Sequence, residues 1–267
     1  MQSENPKQVA ERAASAGAEV ALSLFRTTLS VEEKSSQVDV VTEADRAAQE
    51  RAIEIIREAD PDAVVVAEED DARKTLRKTG RAWIVDPIDG TTNFVHGSRI
   101  WTTSVALVDD GRSVAAANVA PALGDRYVAD DETVTRNDDP VSTSTADDLQ
   151  AFVVASTLRL GAGDGRETGA LARLAVERFG EFRRIGSAQV TLSMVAGGEL
   201  DAAVSTVEGP NAWDTVAGVH QIRCAGGIVT DLAGDPWRPT SEGLVASNGE
   251  AHEELCSAVR DTLDFSP

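Results

Sequence analysis

Cysteine is almost missing from this chain of 267 residues: Cys224 and Cys256 are the only two. So few thiols exclude a disulfide scaffold, and both fall in helix-like text, which reads as small reduced core positions. Histidine is as scarce. His96, His220 and His252 have no partners that imply chemistry and are read as structural, and no Cys or His cluster points to zinc. No apolar run approaches the roughly 20 residues of a membrane-spanning helix, which excludes a membrane partner. The opening MQSENPKQVAERAASAG is polar and then amphipathic, so no secretory signal is expected and the cytoplasm is the expected location.

Lysine is confined to Lys7, Lys34, Lys74 and Lys78, and 25 basic residues face 45 acidic ones, for a formal net charge of -20. Such a surface would repel a phosphate backbone, which excludes nucleic acid as a partner. The acidic excess predicts adaptation to high salt, where screening over about 3 Å at 1 M removes the self-repulsion. The alternative is an acidic protein with no such adaptation. The hydrophobic fraction of 42% is spread along the chain and is enough for one large domain or two smaller ones.

Periodicity gives the organisation. Residues 5–29 predict an amphipathic helix with Pro6 in its first turn and Val9, Ala13, Ala16, Val20 and Leu24 on one stripe. A second helix is expected from near Thr42 until Pro61 stops it. Residues 63–67 and 82–86 read as buried strands, and 101–120 as a hairpin turning at Asp110-Gly111. The polar stretch 136–148 is the expected linker between an N-terminal α+β half, 1–140, and a C-terminal α/β half, 141–267. In the second half, AFVVAST, FRRIGS, DAAVST and GGIVTDL predict short strands between helices at 167–179, 188–197 and 213–225. There is no internal repeat and no low-complexity tract.

The stretch WIVDPIDGTTNF, Trp83 to Phe94, ends an apolar run with two carboxylates, Asp86 and Asp89, and then Gly90, Thr91 and Thr92. Asp45, Glu68, Glu69 and Asp214 likewise open helices or follow apolar strands. Strand ends are where α/β folds gather side chains from separate segments. Carboxylates gathered there repel one another unless a cation intervenes, and an all-oxygen set suits Mg²⁺ or Mn²⁺. Each acid also has a plainer reading. Thr42-Glu43-Ala44-Asp45 fits a capping box, Glu68 to Asp71 fits a solvated acidic run, and Asp214 fits a first-turn acid favoured by the helix dipole. Asp86-Pro87-Ile88-Asp89-Gly90 resists such a reading, because a turn needs no carboxylate at both ends. It does not fit an EF-hand loop, since Ile88 and Gly90 fall third and fifth. Nor does it fit haloacid-dehalogenase-type phosphatases, which separate their two aspartates by one residue rather than two.

Five segments in order, KSSQVDVVTEAD (34–45), AEED (67–70), WIVDPIDGTTNFVHG (83–97), IGSAQVTLSMVAGGELDA (185–202) and AWDTVAGVHQIRCAGGIVTD (212–231), resemble the inositol monophosphatase family, within the larger group that includes fructose-1,6-bisphosphatases. The resemblance covers nearly the whole chain, and the acidic composition points to a halophilic archaeal member. It implies a layered αβαβα sandwich of the sugar-phosphatase type, between α+β and α/β in class, and a homodimer. It also implies a hydrolase that cleaves phosphomonoesters through two or three Mg²⁺ ions, with Mn²⁺ as a substitute, and that is inhibited by Li⁺.

Residue by residue, it implies that Glu68, Asp86 and the Ile88 carbonyl hold one metal, and that Asp86, Asp89 and Asp214 hold a second. Glu69 would stand behind them or serve a looser third metal through water. Thr91, hydrogen-bonded to Asp45, would position the attacking water, and the amides of Gly90, Thr91 and Thr92 would receive the phosphate. Lys34 would steer the phosphate or order its own loop, or is only a surface lysine. Gly186, Ser187 and Ala188 would line the polyol side of the pocket, with an acid before the Trp213-Asp214 pair on the hydroxyls. Here Glu208 stands six residues before Asp214, one fewer than in inositol-specific members. The substrate is therefore left open between inositol-1-phosphate, fructose-1,6-bisphosphate and nucleotide 3'-phosphates, with no aromatic clamp for a base near the motifs. A metal-stabilised regulatory binding protein is the non-enzymatic alternative.

Overall fold

The computed structural model describes residues 4–28, 31–36, 39–69, 72–77, 79–157, 166–205, 211–241 and 243–263. Helix α1 (Pro6–Leu24) starts with Pro6 at its first position, where a missing N–H costs nothing, and Asn5 caps it by accepting from Lys7 N at 3.0 Å. The helix expected to run to residue 29 stops at Leu24. Phe25 turns extended and its ring enters an aromatic cluster with Phe94 and Trp101, and Arg26 follows at φ 62°. The β1–β2 pair (Val31–Ser36, Asp39–Thr42) leads into α2 (Glu43–Ala59), whose small apolar face packs on α1.

A seven-stranded sheet follows in chain order: β3 (Val65–Ala67), β4 (Arg81–Asp89), β5 (Thr102–Asp109), β6 (Arg112–Ala120), β7 (Asp125–Ala129), β8 (Val134–Arg136) and β9 (Asp139–Pro140). Only β3 and β4 are parallel. The β5–β6 hairpin turns at Asp110-Gly111, both at positive φ, as a two-residue turn between right-twisted strands demands. The strand expected at 63–67 is shorter, and that expected at 82–86 runs on to Asp89. The stretch 136–148, expected as the linker, begins inside the seven-stranded sheet. Asn137-Asp138 turns a second positive-φ hairpin, β8–β9, and the residues after it are tied down, Thr143 N donating to Ala225 O and Asn248 Nδ2 to Ala146 O.

The second sheet has the order β11-β10-β12-β14-β13. Its strands are β10 (Val153–Ser156), β11 (Glu181–Arg184), β12 (Ala202–Ser205), β13 (Ile228–Thr230) and β14 (Leu244–Ser247). Interleaved with them are α4 (Arg166–Arg178), α5 (Ala188–Ala196), α6 (Ala212–Cys224) and α7 (His252–Leu263), while the short α3 (Thr91–Val95) follows β4. Strands β1, β2, β7, β8, β9 and β14 and helix α7 have no counterpart among the elements expected from the sequence.

The layers follow from what each face buries. Along β4, Trp83 and Val85 point to α1 and α2, whereas Ala82 and Ile84 point to α5 and α6. Both faces are covered, which is why this strand reads as an unbroken apolar run. Helices α5 and α6 also lie on the five-stranded sheet, whose other face carries α4 and α7. The result is the αβαβα sandwich. Among the described residues no helix is long and apolar enough to cross a membrane. Cys224 and Cys256 are free thiols on α6 and α7. His220 Nε2 lies 2.7 Å from Asp130 O and His252 Nδ1 2.8 Å from Ser247 Oγ, both serving packing.

Candidate active site

In a regular strand, residues three apart face opposite sides of the sheet. Asp86 and Asp89 nevertheless share one side, and the reason is a bulge. Asp86 pairs with Ser104 and Asp89 with Thr102, so two residues of β4 oppose one of β5. Pro87 lies in that bulge, where a residue without an N–H removes nothing from the ladder, and Thr103 Oγ1 donates to its carbonyl at 2.7 Å. Asp214 arrives from α6. Carboxylate oxygens of Asp86, Asp89 and Asp214 lie within 4.8 Å of one another, and all three residues are buried.

The partners of the three differ. Asp89 accepts from the Ser187 hydroxyl, from Gln189 N at 2.7 Å and from Ala188 N at 3.3 Å, so it caps the start of α5. Asp214 is the third residue of α6 and accepts from Asn211 N at 2.7 Å and Asn211 Nδ2 at 3.3 Å. Asp86 is 1% exposed, and neither of its carboxylate oxygens has a hydrogen-bond donor. Burial holds its carboxyl well above the ordinary carboxylate range, reinforced by the charges of Glu68, Asp89 and Asp214. Burial likewise raises Asp89 to about 6, against the opposing hydrogen bonds of Ser187 and Gln189. A buried carboxylate without a donor, set beside two others, is an arrangement suited to hold a cation. The oxygen-only donor set fits a hard divalent ion rather than zinc.

The neighbouring acids are placed by β3 and its loop. Glu68 is half-buried and close enough for its charge to raise both Asp86 and Asp45. Lys74 Nζ donates to the backbone carbonyls of Ala67 at 3.0 Å and Glu68 at 2.5 Å. Glu69 is buried, and the Gln49 amide clamps its backbone at both N–H and C=O, at 2.8 and 3.1 Å.

Asp45 is fully buried at the third position of α2. Its Oδ2 accepts from Thr42 N at 2.8 Å and Thr42 Oγ1 at 2.5 Å, completing the capping box, and its Oδ1 faces Thr91 Oγ1 at 3.1 Å. Capping and the contact to Thr91 coexist. Burial raises Asp45 to about 6, with the Thr42 hydrogen bonds opposing. The Thr91 hydroxyl also lies 3.0 Å from Ile88 O, so its single proton has two acceptors.

Gly90, at φ 97°, makes the turn into α3, and a Cβ there would come within 3.1 Å of Ile100 O and of the Ser187 side chain. Thr92 sits half-buried in the first turn of α3. Asn93 Nδ2 donates to Ile100 O at 2.8 Å and Ile185 O at 3.0 Å, holding α3 against the Gly186-Ser187-Ala188 turn. Glu208 and the Lys34 side chain lie outside the described residues. Sequence reasoning passed over Gln49, Asn93 and Gln189. All three are amides that bind backbone atoms, and nothing in their spacing announces such partners.

The profile of the Inositol monophosphatase family matches residues 3–264. A fructose-1,6-bisphosphatase/inositol-1-monophosphatase of Thermotoga maritima is 32% identical over 235 residues, 88% of each chain. The Nus factor SuhB of Pasteurella multocida is 31% identical over 232 residues, 84% of each chain. Among solved structures, the IMPase of Thermotoga maritima aligns with a TM-score of 0.84 at 30% identity, covering 97% of this chain and 96% of that one.

Proposed function

This chain belongs to the inositol monophosphatase family of phosphatases, and we propose on that premise that it is a Mg²⁺-dependent phosphomonoesterase of small polyol and sugar phosphates. Inositol-1-phosphate is its first substrate and fructose-1,6-bisphosphate its second; nucleotide 3'-phosphates come third. The observation that carries the metal site is Asp86, buried with two donorless oxygens beside Asp89 and Asp214. Glu68, Asp86 and the Ile88 carbonyl would hold one ion, and Asp86, Asp89 and Asp214 another, with Glu69 behind them. When bound, the ions supply countercharge for the carboxylates and Lewis acidity toward the phosphoryl group.

The remaining steps belong to the chain. Asp45 Oδ1 takes the hydrogen bond of the Thr91 hydroxyl, which leaves the Thr91 oxygen to accept from a water and aim it at phosphorus. With the dianionic substrate in place, the amides of Gly90, Thr91 and Thr92 receive phosphate oxygens. Gly186, Ser187 and Ala188 form the wall facing the alcohol, with Glu208 as the candidate for its hydroxyls. Inhibition by Li⁺ and a homodimer belong to the same reading; they are checked by activity in tens of millimolar LiCl at fixed ionic strength and by light scattering.

The deciding experiment is phosphate release from inositol-1-phosphate and fructose-1,6-bisphosphate in molar KCl, with Mg²⁺ and then with EDTA. Release that EDTA abolishes supports the reading, and the ratio of rates chooses the substrate. Silence on both by a folded protein overturns both substrate choices. The second reading, a regulatory binding protein, is favoured by relatives that carry the name Nus factor SuhB. It calls for binding that survives Asp214→Asn.

A further inference from the structure

Two of the three clustered carboxylates reach the site from different layers. Asp89 ends β4 in the seven-stranded sheet, while Asp214 rides on α6. Their spacing depends on how α6 sits against α5, and one fully buried side chain touches both sides of that contact.

Gln189, the second residue of α5, donates its backbone N–H to Asp89 Oδ2 at 2.7 Å. Its side-chain Nε2 donates to Trp213 O at 2.7 Å, the carbonyl of the peptide that carries the Asp214 amide. Its Oε1 accepts from Gly218 N at 2.8 Å and from Asn118 Nδ2 at 3.1 Å. The carboxamide thus grips one acceptor and one donor of the α6 backbone, which fixes that helix against both sliding and rotation relative to α5. Gly218 makes the approach possible: a Cβ there would stand 2.3 Å from Leu192 Cβ and 3.0 Å from Gln189 Oε1.

We propose that Gln189 is a positioning residue that sets the separation of Asp89 and Asp214, through hydrogen bonds to Asp89 and to the backbone that carries Asp214. The inference rests on the metal-phosphatase reading, and direct metal binding tests it separately from turnover. Partners that orient ligands cost about 10- to 100-fold in metal affinity when removed.

Mn²⁺ affinity, from the loss of the free-ion electron paramagnetic resonance signal, is compared for the wild type, Gln189→Met, Gln189→Glu and Ser193→Ala. Met fills the space but makes neither bond to α6. Glu keeps an acceptor for Gly218 but has no N–H for Trp213, and it serves if Met fails to fold. Ser193→Ala breaks the outer part of the same buried network, where Ser193 Oγ meets Gln221 Oε1 at 2.8 Å and Asn118 Nδ2 at 2.9 Å.

Both Gln189 variants should bind Mn²⁺ about 10- to 100-fold more weakly. Ser193→Ala should melt lower yet bind Mn²⁺ within twofold of wild type. Folded Gln189 variants with wild-type affinity overturn the proposal. So does a Ser193→Ala protein that loses as much affinity, because the network would then act only through general stability. A wild type that binds no Mn²⁺ and releases no phosphate overturns the metal-phosphatase reading itself, and the inference with it.

Discussion

Asp45 and Asp214 hold the same station on two different helices. Each is the third residue of its helix, and each gives Oδ2 to the backbone N–H of its N-cap, Thr42 at 2.8 Å and Asn211 at 2.7 Å. A cap of this kind fixes where the second oxygen points, so helix stability and site geometry share one side chain. Substitution can separate the two roles. In Asp214→Asn the amide oxygen still accepts from Asn211, so the melting temperature should stay within a few degrees of wild type. Phosphate release should fall by at least about 100-fold, beyond the usual loss for an outer partner of a metal site. Activity within tenfold of wild type would remove Asp214 from the metal site.

Asp86 gives the opposite sign. Its charge is buried with no donor, which penalises the metal-free fold. Asp86→Asn should therefore raise stability in EDTA, by about 1–3 kcal/mol if the whole penalty is relieved. Mg²⁺ should raise the urea midpoint of the wild type and leave that of the variant unchanged. A variant less stable than wild type in EDTA would show that Asp86 has an internal partner.

The pH dependence of the metal-free protein follows from Asp45 and Asp89, both raised by burial from 3.8 to about 6. Between those values the folded chain binds more protons than the unfolded one, so stability falls as pH rises. Their contribution is fully present below about pH 4 and lost by passage through about pH 6. Melting in EDTA should therefore occur at a lower temperature at pH 7 than at pH 5, and saturating Mg²⁺ should flatten the difference. A melting temperature that rises over this interval in EDTA would mean that other groups dominate.

The sequence made part of this site readable. Asp86 and Asp89 stood out because charge at the end of an apolar strand has no packing explanation. The bulge that brings them to one face was signalled only by Pro87, and the spacing of three alone argued for opposite faces. The Thr42-Asp45 box was legible. Its counterpart, Asn211-Asp214, has the same spacing, but the plainer reading of Asp214 was the helix dipole alone, without Asn211 as its cap. Gln189 was illegible, since its partners are backbone atoms of a distant helix. Helix α1 ends early for a similar reason: Phe25 finds Phe94 and Trp101, partners that local periodicity cannot see.

Salt dependence tests the composition. With 45 acidic and 25 basic residues, the chain keeps an excess of 20 negative charges that have no counterion of their own in it. Ion pairs such as Lys7–Asp130 and Arg178–Glu254 leave both members at least a quarter exposed, and surface pairs of this kind contribute only about 0–1 kcal/mol each. Repulsion must then be screened by the solvent, over about 3 Å at 1 M salt but about 10 Å at 0.1 M. Circular dichroism on stepwise dilution should show loss of structure below about 0.5 M KCl, where the screening length approaches the spacing of neighbouring surface charges. Adding millimolar Mg²⁺ at low salt should recover only the part due to the buried carboxylates, because surface repulsion is spread over the whole molecule. A spectrum and a melting temperature indifferent to KCl would show that packing between the two sheets outweighs the repulsion, and would refute the high-salt adaptation.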